Sequence, residues 1–279
     1  MRVFVTGATG YIGSAVVREL LDAGHTVVGL TRSDTGAAAL KEAGAEVHRG
    51  ALDDLDSLHS AAAAADGVIH LAFRHDLQVS DFAGALTSDL RAVETLGAAL
   101  EGSGKPFVIT AHLNGEASEN AAIALVERGV RSAIISLAPS VHGEGDKHGF
   151  VPRLITIART TGKTAYIGDG SNRWPAVHRL DAAHLFRLAL EAAPARSRLD
   201  GVGDEGVPFR DIASVIGRHL NLPVVSIPRE EADAHFGFLG ALAAFDLPRS
   251  SAQTQELVGW RPVHPGLLAD LEQGHYFNR

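Results

Sequence analysis

Apolar residues in the first half of the chain occur in short β-branched runs that alternate with longer amphipathic stretches. The runs predict strands because they are apolar at nearly every position, as strands covered on both faces must be. They occupy residues 3–5, 26–30, 46–47, 68–71, 107–109 and 133–135. Strands and helices that alternate at this rhythm predict an α/β fold, a doubly wound parallel sheet built from right-handed βαβ units.

Three of the stretches between the strands predict helices with identifiable ends. The first carries an apolar stripe at helical spacing and ends near Gly24, a typical residue after a helix C-terminus. A second, through the alanine run at 61–65, is expected to begin at Asp54 or Asp56. A third is predicted over about 79–101. Its expected inward positions are Phe82, Leu86, Leu90, Val93 and Leu96.

Proline and glycine are frequent after about residue 150, and strand and helix patterns alternate less regularly there. Such a region commonly covers the carboxyl ends of parallel strands, where open α/β sheets bind ligands. We therefore predict a ligand-binding α/β domain over 1–165 and a smaller substrate-binding lid over 166–279, interleaved with the first.

The composition narrows the classes of partner. The net charge of −8 argues against nucleic acid and against an anionic membrane surface. No apolar run is long enough to cross a membrane and no signal peptide is expected. The absence of cysteine excludes disulfides and thiolate chemistry and fits a cytoplasmic protein. A small-molecule substrate is therefore expected, and the sequence leaves a homodimer open.

A glycine-rich segment directly follows the first strand and opens the first helix. In it, Gly7 permits a tight turn, Gly10 lets the backbone approach a pyrophosphate, and Gly13 lets the helix pack against the strand. The amides at the helix N-terminus would face the phosphates. The predicted phosphate-binding residues are Gly7, Thr9, Gly10, Tyr11, Ile12 and Gly13.

The end of the second strand predicts which dinucleotide binds. A site for NAD(H) typically has a carboxylate here for the ribose hydroxyls, whereas a site for NADP(H) has a cation for the 2′-phosphate. Arg32 occupies this position, with Ser33 as an added donor, and Asp34 follows slightly late. This pattern favours NADP(H) over NAD(H).

The chain resembles the short-chain dehydrogenase/reductase superfamily, in its extended or atypical branch of NAD(P)-dependent epimerases and dehydratases. The resemblance covers most of the chain. It is carried by the segments at 6–13, 50–53, 70–72, 139–143 and 174–181. It implies that Leu52 and Asp53 lie near the adenine, and that Leu71, Ala72 and Phe73 lie near a ribose. It implies further that the backbone at Pro139, Ser140 and Val141 meets the nicotinamide.

The superfamily's usual catalytic residues are absent. Its chemistry depends on a serine after the fifth strand and on a Tyr-x-x-x-Lys motif on the next helix, in which the tyrosine moves the proton. The closest alignment puts His112 near the serine, Gly115 at the tyrosine and Glu119 at the lysine. The segment between strand and helix is also shorter than usual in the family.

Two hypotheses about function follow. In the first, the protein is an enzyme, an oxidoreductase that reduces a C=O or C=N bond of a small organic molecule with an atypical active site. His112 is then the candidate acid, while Thr110, Asn114 and His142 could hold the substrate. In the second, it is a non-redox or catalytically silent NAD(P)-binding protein of the same fold.

Other chemistries find less support. The fourteen histidines form neither an HExxH motif nor another tight ligand set, so we expect no metal site. No Gly-x-Ser-x-Gly nucleophile elbow is present, which argues against a serine hydrolase.

Overall fold

The computed structural model describes residues 1–74 and 81–278. These residues form two compact units. The first contains residues 1–136, 182–199 and 253–260, and the second contains 137–181, 200–252 and 261–279. Each unit is thus assembled from three separate stretches of chain. The domain boundary expected between residues 165 and 166 stays a prediction.

Twelve strands occur in the described ranges. They are β1 (Arg2–Thr6), β2 (Thr26–Thr31), β3 (Glu46–Arg49), β4 (Gly67–His70), β5 (Pro106–Thr110), β6 (Arg131–Leu137), β7 (Ser140–His142), β8 (Thr164–Ile167), β9 (Arg173–His178), β10 (Ser197–Gly201), β11 (Asp204–Pro208) and β12 (Val224–Ile227). The first six strands correspond to the six runs predicted from apolar patterning, which confirms those predictions. The one exception is Leu71, the last residue of the run at 68–71, which lies just after β4.

The α-helices of the same ranges lie between these strands and near the C-terminus. They are α1 (Tyr11–Asp22), α2 (Asp34–Ala43), α3 (Leu55–Ala63), α4 (Phe82–Ala98), α5 (Glu116–Ala124), α6 (Phe150–Thr161), α7 (Arg179–Ala192), α8 (Phe209–Leu220), α9 (Ala232–Phe236), α10 (Gly240–Ala243), α11 (Ala252–Val258) and α12 (Leu267–Glu272). Single 3₁₀ turns occupy Leu125–Arg128, Arg229–Glu231 and Gly237–Leu239.

The main sheet has the strand order β10-β6-β5-β4-β1-β2-β3. From β6 to β3 every neighbouring pair is parallel, which confirms the predicted doubly wound α/β fold. The strand order reverses direction between β1 and β4, where Thr6 pairs with His70. In open α/β sheets, ligands bind beyond the carboxyl ends of the strands at this switch point.

The core of the first unit follows from the apolar runs. The strands β1 and β5 bury Phe4 and Phe107 completely, as expected for a sheet with helices on both faces. Of the two candidate caps for α3, Asp54 is the one used, because its carboxylate accepts a hydrogen bond from the Ser57 amide at 3.2 Å.

The helix α4 begins at Phe82, and the predicted start near residue 79 lies outside the described residues. Its most buried face carries mainly small residues. The buried positions are Ala85, Asp89, Ala92, Val93, Leu96 and Gly97. The predicted inward residues Phe82, Leu86 and Leu90 are only half-buried. A carboxylate therefore lies on the inner face of this helix.

The second unit has two small sheets, in the orders β11-β9-β7 and β12-β8. Its core is centred on Trp174, which is completely buried and packs edge-to-face on Phe150 and Phe209 at ring-centroid distances of 5.4 and 4.9 Å. None of the helices formed by residues 1–74 and 81–278 is both long enough and apolar enough to cross a membrane.

Candidate functional site

The loop after β1 has the geometry that its glycines predict. Gly7 has a φ of 67°, and a Cβ there would lie 2.8 Å from the Ala72 amide nitrogen. A Cβ on Gly13 would lie 2.0 Å from the Gly7 carbonyl oxygen, so no side chain fits. A Cβ on Gly10 would have the Gly7 oxygen, at 3.2 Å, as its single neighbour within 4 Å. Gly10 therefore faces open space, whereas Gly7 and Gly13 are required by the fold itself.

The helix α1 begins at this loop without a side-chain cap. Gly10 is its N-cap residue and makes no side-chain cap hydrogen bond, and the first turn carries no acidic residue. A helix N-terminus without a carboxylate in its own first turn suits an anion such as a phosphate. Thr9 is exposed and Tyr11 and Ile12 are half-buried beside it.

Arg32 lies at the carboxyl end of β2 and is exposed. It forms no ion pair with any residue of the described ranges. The neighbouring Asp34 pairs instead with Arg49, the last residue of β3. Ser33 caps α2, and its hydroxyl oxygen accepts a hydrogen bond from the Gly36 amide at 3.0 Å. The charge of Asp34 is therefore partly offset, and a cation and a second helix N-terminus occur together here.

The other predicted cofactor residues of the first unit lie at two further strand ends. Leu52 is buried in the core after β3, and the next residue, Asp53, is exposed. The half-buried residues Leu71, Ala72 and Phe73 follow β4. Their roles in binding stay predictions.

A hydrogen-bond chain runs from the end of β1 into the unit. The Thr6 hydroxyl oxygen accepts hydrogen bonds from the Leu71 and Ala72 amides, both at 3.2 Å. It also lies 2.7 Å from His70 Nδ1. Since both acceptor sites of the oxygen are used, its hydrogen points at Nδ1. His70 therefore carries its proton on Nε2 and donates it to Asp89 Oδ1, 3.2 Å away.

Asp89 is the charged centre of this chain, and its side chain is only 2% exposed. Its second oxygen accepts a hydrogen bond from the Ser118 hydroxyl at 2.5 Å. Burial alone would raise the pKa of Asp89, but the hydrogen bonds from His70 and Ser118 and the nearby His112 imidazole hold it below its ordinary value. Asp89 is accordingly a buried carboxylate.

His112 lies in the short segment between β5 and α5. Its Nε2 is 3.8 Å from Asp89 Oδ1, and its ring packs on Phe73 at a centroid distance of 4.3 Å. Thr110 donates a long hydrogen bond of 3.4 Å to the His70 carbonyl oxygen. Asn114 is exposed and has a φ of 58°. Three of the four candidate catalytic residues thus belong to one segment of the first unit.

The turn before α5 leaves no room for a side chain at Gly115, the position aligned with the family's tyrosine. The Gly115 amide donates to the His112 carbonyl oxygen at 2.9 Å, which closes a tight turn before α5. A Cβ on Gly115 would lie 2.9 Å from that oxygen, so a tyrosine does not fit this backbone. At the position aligned with lysine, Glu119 pairs with Arg198.

The remaining predicted residues belong to the second unit. Pro139 and Val141 are half-buried, and Ser140 is buried in β7. His142 is 1% exposed and donates from Nδ1 to Asp270 Oδ2 at 2.9 Å. Its buried Nε2 has no hydrogen-bond partner among the described residues.

One group in the second unit combines metal-ligating side chains. Potential ligand atoms of His178, Asp181 and His264 lie within 4.8 Å of one another. However, the two imidazoles stack at an interplanar angle of 11°, and Asp181 already accepts from the Val263 amide and from His264. Burial, together with the charges of His142 and His264, lowers the pKa of His178 to about 4. The expected absence of a metal stays a prediction.

Sequence reasoning missed Asp89 and Ser118. The signal for Asp89 was its spacing: it lies four residues after Ala85 and four before Val93, on one helical face. The signal for Ser118 was weaker, because a lone serine in the middle of a helix is common.

Comparisons with known proteins agree with the family resemblance of the sequence. A family model described as the NAD dependent epimerase/dehydratase family matches residues 3–108. An uncharacterised protein of Schizosaccharomyces pombe is 46% identical over 298 residues, which cover 99% of this chain and 100% of the relative. A 2-alkyl-3-oxoalkanoate reductase of Stenotrophomonas maltophilia is 26% identical over 272 residues, which cover 85% of this chain and 79% of the relative.

Among solved structures, a dTDP-glucose 4,6-dehydratase of Streptomyces venezuelae with NAD bound is similar in fold. The TM-score is 0.76 at 18% identity, and the match covers 99% of this chain and 97% of that one.

Proposed function

We propose that this chain, which belongs to the NAD dependent epimerase/dehydratase family, is an NADP(H)-dependent oxidoreductase that reduces a C=O or C=N bond of a small organic molecule. The observation that carries this proposal is the position of His112. It lies 3.8 Å from a buried carboxylate, in the compact unit that also contains the glycine loop.

The loop after β1 fits a dinucleotide. Gly7 and Gly13 bring the backbone close to β4 and to α1, while Gly10 leaves space in front of an uncapped helix N-terminus. We assign the pyrophosphate to this space, held by the backbone amides of Tyr11, Ile12 and Gly13, since the Gly10 amide already donates to the Gly7 carbonyl oxygen at 2.9 Å. The bound dinucleotide supplies the hydride, and the protein has to hold the substrate and provide a proton.

The preference for NADP(H) rests on charge. Arg32 is exposed and has no ion-pair partner in the described ranges, and the N-terminus of α2 lies beside it. Since Asp34 pairs with Arg49, it repels a 2′-phosphate less than an unpaired carboxylate would. A guanidinium and a helix N-terminus both favour a phosphate.

His112 is the proton donor in this proposal. Its side chain is 18% exposed, so it is shielded but still reachable by a ligand. Thr110 and Asn114 lie on the same segment and would hold the substrate oxygen or nitrogen. His142 stays a further candidate for substrate binding, because its buried Nε2 can accept a hydrogen bond. The similarity to a 2-alkyl-3-oxoalkanoate reductase supports a carbonyl substrate.

The test compares wild type with His112→Phe, which keeps an aromatic ring against Phe73. We expect the variant to lose about a hundred- to ten-thousandfold in turnover of a ketone, which is the usual contribution of general acid catalysis. Turnover by wild type should fall as pH rises through the histidine pKa, since the acid must carry its proton. Steady-state kinetics with NADPH, over a panel of ketones and imines, measures both.

The matched control is His59→Phe, at an exposed histidine of α3. It should retain wild-type turnover, and both variants should bind NADPH as wild type does. Ketone reduction by His112→Phe at the wild-type rate would contradict the assignment of the proton donor. If wild type transfers no hydride to either substrate class, the chain is instead a non-redox NAD(P)-binding protein. The missing tyrosine and lysine would then account for the lack of reductase activity.

A further inference from the structure

The buried carboxylate of Asp89 has two oxygens with different neighbours. Oδ2 accepts the hydrogen bond from Ser118, whereas Oδ1 accepts from His70 and also faces His112 Nε2 at 3.8 Å. A carboxylate with a side chain 2% exposed is costly unless such partners satisfy it. Asp89 is thus held rigidly, with one oxygen directed at the candidate proton donor.

Building on the proposed function, we infer that Asp89 is the positioning residue of His112, and that Thr6 and His70 hold Asp89 in place from the edge of the glycine loop. Asp89 itself need not touch the substrate. It orients the imidazole of His112 and favours its protonated form.

The direction of each hydrogen bond supports this assignment. The Thr6 hydroxyl donates to His70 Nδ1, so His70 Nε2–H donates to Asp89. In this arrangement His70 needs no positive charge to hold the carboxylate. The negative charge of Asp89 therefore remains available to the other imidazole near it, that of His112.

Charged and titratable groups approach His112 from several elements of the described ranges. Asp89 reaches it from α4, and His70 reaches the same carboxylate from β4. On α5, Glu119 is paired with Arg198, and Glu116 is exposed. Phe73 covers the face of the His112 ring, which restricts its orientation. Asp89 accordingly provides a buried carboxylate 3.8 Å from the Nε2 of this imidazole.

Thr6 immediately precedes Gly7, whose φ of 67° begins the turn of the glycine loop. The chain Thr6–His70–Asp89–His112 thus connects the predicted phosphate site with the predicted proton donor through side chains that are nearly all buried. A shift of the loop backbone at Thr6 would be passed to His112 through this chain.

The test is a titration of the histidines by NMR, on protein without cofactor. In Asp89→Asn the titration midpoint of His112 should fall by about one to three pH units, the usual effect of removing an opposite charge at this distance. The control Asp22→Asn, at an exposed carboxylate of α1 paired with Arg18, should leave the midpoint unchanged. In wild type, nitrogen-15 shifts should report His70 with its proton on Nε2.

A His112 midpoint that is the same in Asp89→Asn as in wild type would overturn the inference, as would a wild-type His70 protonated on Nδ1. If Asp89→Asn does not fold, Asp89→Ser, which is also neutral, takes its place in the same titration. Kinetics provides a separate readout: kcat of the Asp89 variant should fall while its Kd for NADPH stays unchanged. An enzyme without reductase activity would refute the proposed function, but the titration would still decide the role of Asp89.

Discussion

The loop after β1 and the segment after β5 lie in the same compact unit, but only the first keeps the residue types of the family. In the loop, Gly7 and Gly13 are required because a Cβ at either would collide with backbone atoms. At the positions aligned with the family's serine, tyrosine and lysine, this chain has His112, Gly115 and Glu119, and the turn closed at Gly115 leaves no room for a tyrosine.

With the roles proposed above, this difference predicts that cofactor binding and proton transfer are separable in the fold. The loop has to satisfy a steric requirement, which only glycine meets at Gly7 and Gly13. A proton, by contrast, can come from any suitably placed acid. Substitutions in the loop should therefore abolish binding, and substitutions near β5 should affect turnover or local stability while binding persists.

The largest effect is expected at Gly10. Gly10→Val puts a branched side chain into the open space before α1, so NADPH binding should be lost while the fold survives, because the new Cβ meets one oxygen at 3.2 Å. Gly13→Ala should lose thermal stability as well, since its Cβ would lie 2.0 Å from the Gly7 oxygen. Calorimetric titration and thermal unfolding of both variants measure this. Unchanged NADPH affinity in a folded Gly10→Val protein would remove the basis for the phosphate site.

A smaller effect is expected at Arg32. Arg32→Ala should weaken NADPH binding by roughly ten- to hundredfold and leave NADH binding nearly unchanged, because a charge-assisted contact to the 2′-phosphate is lost. The control Arg18→Ala removes an exposed arginine of α1 and should change neither affinity. Fluorescence titrations with both dinucleotides provide the comparison. Equal affinities of wild type for NADPH and NADH would refute the predicted preference.

The smallest effect concerns stability near β5, where two buried serines form a matched pair. Ser118 donates to the Asp89 carboxylate and Ser132 to the Ala122 carbonyl, both at 2.5 Å. Ser118→Ala should lower the free energy of unfolding by about 1.5–3 kcal/mol and Ser132→Ala by about 0.5–1.5 kcal/mol, since a hydrogen bond to a charged group contributes more. Urea unfolding at pH 7 measures the difference.

The same pair predicts a pH dependence. The pKa of Asp89 is lowered in the folded protein, so its contribution to stability is present above the unfolded value and is lost as pH falls through the folded value. Ser118→Ala removes one cause of this lowering and brings the folded pKa of Asp89 closer to the unfolded one, so the acid-linked loss of stability should be smaller and should end at a higher pH than in wild type. Ser132→Ala should follow wild type, and identical pH profiles for the two variants would contradict the role of Ser118.

Much of the fold could be predicted from local patterning. The runs at 3–5 and 107–109 are apolar at every position, and a strand covered on both faces has no other requirement. The glycines of the loop could also be identified from the sequence. The strand before them and the helix after them determine the conformation and the close contacts that require glycine. His112 was identifiable only as the residue nearest to a missing serine.

The sequence by itself determined the parallel sheet, the glycine loop and the absence of the usual catalytic residues, because periodicity, chain geometry and residue identity are local properties. Only the tertiary structure decided that Asp89 faces inward and meets His70, Ser118 and His112, which come from β4, α5 and the segment between β5 and α5. A buried carboxylate is costly in isolation and becomes favourable only when its partners converge on it. That convergence depends on packing between distant parts of the chain, which no local pattern records.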